Sequence, residues 1–65
     1  MPLFTFYPCR ADGASTAFET LECLDDADAL ERARRVLEEH RSSVEVIIWQ
    51  GERRVGALVR ATNDA

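Results

Sequence analysis

The chain has 65 residues, 46% of them apolar and 31% charged, which is the balance of a small folded domain and not of a disordered segment. Twelve acids against eight arginines, with no lysine, give a net charge of −4, which argues against general affinity for nucleic-acid phosphates. This length excludes multidomain enzymes, dinucleotide-binding folds and repeat arrays.

Leu3–Pro8 (LFTFYP) is rich in aromatic and β-favouring residues and predicts a strand. Arg10–Thr16 contains Asp12-Gly13, the pair that supplies positive φ to a tight turn. Ala17–Cys23 alternates as a second strand, so the two form an antiparallel hairpin with Leu3 near Glu22 and Pro8 near Ala17.

Asp25 is placed as the N-cap of a helix, with Asp28 three residues on to meet further unpaired amides. Apolar residues at 27, 29, 30, 33, 36 and 37 then form one helical stripe, in which Leu30 and Leu37 are the expected anchors. Asp28–Arg32 and Glu31–Arg35 are spaced as i,i+4 pairs, and His40 stands where it can cap the last carbonyls. Ser42-Ser43 ends the helix.

Val44–Trp49 (VEVIIW) is the clearest strand, and Arg54–Arg60 is its hairpin partner across Gly51-Glu52, with glycine first as a type II′ turn requires. That register sets Ile48 opposite Val55, Val46 opposite Ala57 and Val44 opposite Val59, and it makes one face wholly apolar. The fold class is therefore α+β: ββαββ, a four-stranded antiparallel sheet of order 2-1-3-4 with the helix on one face. Residues 1–60 read as a single domain and 61–65 as a frayed tail.

One helix covers one face of four strands. Alternation assigns Phe4, Phe6, Leu21, Val44, Val46, Ile48, Val55, Ala57 and Val59 to the covered face. The other face carries Leu3, Thr5, Tyr7, Phe18, Ile47, Trp49 and Leu58, more apolar surface than a small monomer exposes without a partner. Tyr7, Ile47, Trp49, Arg54 and Leu58 are the candidate interface, with Trp49 as anchor and Arg54 across the hairpin where it can lie over the indole.

No motif names a reaction. Cys9 and Cys23 fall at opposite hairpin ends, about 20 Å apart, too far for a disulfide, and no metal-ligand spacing occurs. Asp25-Asp26 and Glu38-Glu39 read as a helix start and a solvated helix face. No catalytic residue, metal, cofactor or small-molecule ligand is expected, and neither a signal peptide nor a membrane segment is evident.

The expectation is a cytoplasmic, non-enzymatic interaction or structural module that self-associates or meets another protein through the open face. The alternative is a nucleic-acid-associated regulator using the arginine-rich second half. Residues 1–31 hold one arginine against seven acids, whereas residues 32–65 hold seven arginines against five acids.

The start MPLFTFYP, the segment LECLDDADALERA and the hairpin Trp49, Gln50, Gly51, Arg53 and Val55 together resemble a family of small single-domain bacterial proteins of unknown function. The resemblance implies the ββαββ layout and carries no assigned chemistry.

Overall fold

The computed structural model describes residues 2–15 and 17–60. The expected frayed tail, 61–65, lies outside the described residues. The elements are β1 (Leu3–Arg10), β2 (Glu19–Glu22), α1 (Asp26–Glu39), β3 (Ser43–Gln50) and β4 (Arg53–Val59). They build one antiparallel sheet of order β2-β1-β3-β4, with α1 packed on β3, β4 and β1. The α+β class and the 2-1-3-4 order are those the sequence predicts.

From Leu3 to Phe6 the first hairpin takes the expected register, Leu3 facing Glu22 and Phe6 facing Glu19, but β2 is shorter than predicted, Pro8 does not pair with Ala17, and beyond it Cys9 bridges Ser15, one residue out of that register. Its turn is made by Gly13 at φ 86° and by an Asp12 carboxylate that accepts the Ala14 N–H at 2.9 Å. β1 runs two residues beyond the predicted Pro8. Arg10 N–H donates to the Ala14 carbonyl, and alternation puts the Pro8 nitrogen on that same side, past the last β1–β2 pair. The proline therefore removes no ladder bond to β2.

α1 starts as predicted. Asp25 accepts the Asp28 N–H at 2.8 Å, and Asp28 reaches back to the Leu24 N–H at 2.9 Å, so two otherwise orphaned amides are met reciprocally. The buried helix residues are Ala29, Ala33, Val36 and Leu37. They share a core with Phe4, Phe6, Cys23, Val46 and Ile48, against which Leu21, Val55 and Leu58 pack. Large rings on the central strand thus meet small side chains on the helix, a size match that keeps the two layers close. Leu30 is not the anchor expected of it, being 41% exposed. The stripe is narrower than its apolar letters, because a helix lying flat on a sheet buries only the positions on the line of contact.

Two further expectations change at the helix surface. The ion pair on α1 is Glu31–Arg34 at 3.3 Å, an i,i+3 contact, and neither Asp28–Arg32 nor Glu31–Arg35 forms among the described residues. The helix C-terminus is capped from a distance. The Arg60 guanidinium donates to the carbonyls of Leu37, His40 and Ser43, the last two at 3.2 and 3.0 Å. A cation among those carbonyls also complements the negative end of the helix dipole, the role expected of His40.

The second hairpin begins in the predicted register, Gln50 opposite Arg53 and Trp49 opposite Arg54, with Gly51 at φ 60°. One residue later it departs. A bulge at Val55 sets Ile48 opposite Gly56, Ile47 opposite Ala57, Val46 opposite Leu58 and Glu45 opposite Val59. A single extra residue reverses the faces of everything after it. Leu58 accordingly moves to the helix side, while Ala57 and Val59 turn to the open face. A second irregularity, between Cys9 and Arg10, leaves Val44 unpaired with β1 and partly exposed, not in the core where alternation puts it.

The β3–β4 turn is tied to the start of α1. The Arg53 guanidinium donates to both carboxylate oxygens of Asp26 at 2.8 and 3.1 Å, and to Gln50 Oε1 at 2.5 Å. The hydrogen bonds from Arg53 hold the Asp26 carboxyl below its usual range.

This packing sets two expectations for stability. Phe6→Ala should cost about 3–5 kcal/mol, enough to unfold a domain of this size, whereas Leu30→Ala should cost less than about 1 kcal/mol. Urea melts of the two variants test this, and equal losses would show the helix is rotated from its described position. The Asp26 effect has a definite sign. A depressed folded pKa stabilises above the unfolded value, near 3.8, and that contribution is lost as pH falls through the folded value. Asp26→Asn should therefore be less stable than the parent at about pH 6, and the gap should close as pH falls below the unfolded value and through the folded one, as read from melts across pH.

Candidate functional site

Alternation and the pairing registers put three cross-strand rows on the uncovered face. The middle row is Tyr7–Ile47–Ala57, extended at the β2 side by Phe18, whose ring centroid lies 5.9 Å from that of Tyr7 with the planes tilted by 37°. Toward the β3–β4 turn lies Thr20–Thr5–Trp49–Arg54. Toward the other end lies Cys9–Glu45–Val59, in which Cys9, bridged to Ser15, is already buried within the monomer. Tyr7, Ile47, Trp49 and Ala57 are half-buried by their neighbours alone, while Leu3, Phe18 and Val59 stand mostly free at the rim, at 56%, 65% and 65% exposure.

Four of the five candidate interface residues therefore share this face: Tyr7, Ile47, Trp49 and Arg54. Leu58 does not. It packs against the core opposite Val46, because the bulge at Val55 shifts its facing by one. Ala57, Val59 and Glu45 complete the surface instead. The isolated glycine in the strand, Gly56, was the available signal for the bulge. Trp49 and Arg54 are paired across the hairpin as expected, but the aromatic contact among the described residues is Tyr7–Phe18 and not Arg54 on the indole.

The face carries both signs of charge around an apolar middle. Arg54 sits at one end and Glu45 at the other, four residues apart along β3, which is about 13 Å. Neither takes part in an ion pair or side-chain hydrogen bond among the described residues. Arg53 and Arg60 are differently placed, since both are engaged inside the fold.

Two shallow grooves of about 270 Å³ each flank the helix on the opposite side of the sheet. One lies between α1 and β2, floored by Leu21 and Val36 and edged by Arg32, Arg35, Glu19 and Glu39. The other is floored by Leu37 and Leu58 beside Arg60. No cysteine or histidine lines either groove, and no cluster of metal-ligating side chains occurs among the described residues. No helix among the described residues is long and apolar enough to cross a membrane.

Cys9 and Cys23 are both free and buried. Cys23 follows the β2 strand and donates its N–H to the Pro2 carbonyl, whereas Cys9 pairs with Glu45 at the far end of β1. Burial, together with the negative charge of Asp28, pushes the Cys23 thiol above its ordinary value. Both thiols should titrate with a disulfide reagent in denaturant without prior reduction, and Cys23 should react slowly in the native protein at pH 7. A Cys9–Cys23 bond found by peptide mapping would contradict the hairpin register.

No family model, no curated protein and no solved structure matches the chain, so no relative assigns a role to its open face.

Proposed function

We propose that this protein is a non-enzymatic interaction module that self-associates through the open face of its sheet. The observation that carries the reading is the band Phe18–Tyr7–Ile47–Ala57 with Trp49 alongside: contiguous apolar surface on the side of the sheet opposite the helix. A monomer gains nothing by leaving such a band in water, whereas covering it returns about 25 cal/mol for each Å² of apolar area removed. Trp49 and Tyr7 are residue types in which interface energy concentrates. The two free thiols suit a reducing, cytoplasmic setting. The nucleic-acid alternative has less to work with on this face. Arg54 is the one arginine beside Tyr7 and Trp49 among the described residues, since Arg53 holds Asp26 and Arg60 holds the helix end.

Sedimentation equilibrium from micromolar to millimolar protein tests the proposal. The parent should show a concentration-dependent dimer, and the emission of Trp49, the only tryptophan, should shift to the red on dilution. Trp49→Ala should weaken association by roughly 2 kcal/mol or more while the far-UV spectrum is kept. A monomeric mass at every concentration, with unshifted emission, would overturn it.

A further inference from the structure

We infer that the surface which covers the open face is a second copy of this chain, turned about a two-fold axis that lies across the strands over Ile47, so that Arg54 of each copy meets Glu45 of the other. This rests on the self-association proposed above and assigns its geometry. The first support is the distribution of charge. On β3 and β4 the face bears the cation Arg54 near one end and the half-buried carboxylate of Glu45 near the other, on either side of an apolar row, while Glu22 on the edge strand β2 adds an exposed carboxylate at the Arg54 end. A surface holding both signs in this way is complementary to itself after reversal, whereas a partner of one charge sign would satisfy only one end.

The second support is what each possible axis would do to Glu45. In the aligned class of face-to-face packing two sheets run within about 30° of each other and stand about 10 Å apart, and the two-fold axis then lies either along the strands or across them. An axis along the strands between β1 and β3 would lay Glu45 over Cys9 of the second copy, about 13 Å along the strands from the row of Arg54 and beside only Arg10, which already pairs with Asp12. Burying a charge without a partner is strongly unfavourable. An axis across the strands over the middle row instead lays the row of Trp49 and Arg54 over the row of Glu45 and Val59. Arg54 then stands above Val59, offset from Glu45 by one strand spacing of about 4.8 Å sideways and by the sheet separation of about 10 Å, roughly 11 Å in all, which the arginine and glutamate side chains span together. The bulky Trp49 faces the smaller row, and Ile47 sits on the axis against itself.

The third support is area. Four strands at about 4.8 Å and a length of about 20 Å give a face of roughly 400 Å² per copy, or about 800 Å² in all. That lies below the roughly 1,200 Å² of stable interfaces and in the range of weak, transient ones, which suits a reversible dimer.

A charge-exchange cycle tests the assignment on the full chain by sedimentation equilibrium. Arg54→Glu and Glu45→Arg should each weaken the dimer about 30-fold or more, and the double variant should return to within about 5-fold of the parent. The neutral variants Arg54→Gln and Glu45→Gln repeat the single arms with less disturbance to folding, and each should weaken the dimer about 10-fold. Ile47→Glu, on the axis in this arrangement and inside the apolar band in any other, should abolish association. If Ile47→Glu abolishes the dimer but the exchanged pair shows no recovery, the face stands and the axis assigned here is wrong. Recovery of Arg54→Glu by Glu22→Arg would likewise overturn it, in favour of the axis along the strands. A parent that never dimerises removes both readings.

Discussion

Phe4 and Phe6 fill the space between the central strand and the helix, and they fit there because α1 turns Ala29 and Ala33 into the same core. That size match sets the spacing of the two layers and so the reach of everything that joins them. Val36 and Leu37 close the core toward the helix C-terminus, while Val46 and Ile48 close it from β3. The capping groups act on top of this packing. Asp25 accepts the Asp28 amide in the first turn of α1 and Asp28 accepts the Leu24 amide before it, while Arg60, just past β4, donates to the Leu37 carbonyl in the last turn. Arg53 on Asp26 and Arg60 on Leu37 fasten the helix at both ends to a sheet it covers only on one side.

Covering one side is what creates the functional question. A single 14-residue helix spans β1, β3 and β4 on one face of the sheet. Tyr7, Ile47 and Trp49 alternate with core residues on those same strands and cannot be turned away from the opposite face without losing Phe6, Ile48 or Val46 from the core. The open face is thus apolar as a consequence of how the core is built, and the partner proposed for it comes from outside the described fold. Arg54 and Glu45 are what give that surface a direction.

The arginines illustrate how position decides role. Arg53 and Arg54 are neighbours in the sequence, yet alternation sends Arg53 toward Asp26 at the helix start and Arg54 toward the open face. Arg60 has no such neighbour in sequence to predict its contacts. It finds three carbonyls contributed by the end of α1 and the start of β3. A basic second half, read as composition, suggests a surface for anions. Resolved into places, two of its arginines, Arg53 and Arg60, fasten the fold, while Arg32, Arg34, Arg35, Arg41 and Arg54 stay exposed.

What the sequence by itself determined is local in origin. The order of elements, the Asp25 cap, the Asp12-Gly13 and Gly51-Glu52 turns and the first hairpin register all arise from residues within a few positions of one another. Tyr7, Ile47 and Trp49 were legible as one face for the same reason, since a period of two needs only the strand itself. The tertiary structure decided the rest. Whether Val55 bulges depends on what β3 and the helix offer to Val55 and Leu58 together, and that choice moved Leu58 into the core and brought Ala57 and Val59 outward. Leu30 lost its anchoring place because the line of helix–sheet contact is set by both layers. His40 stands at the C-cap with its backbone N–H on Val36, but the side-chain cation there is Arg60, because a guanidinium arriving from another strand can bridge three carbonyls at once, a contact that no spacing along the chain records.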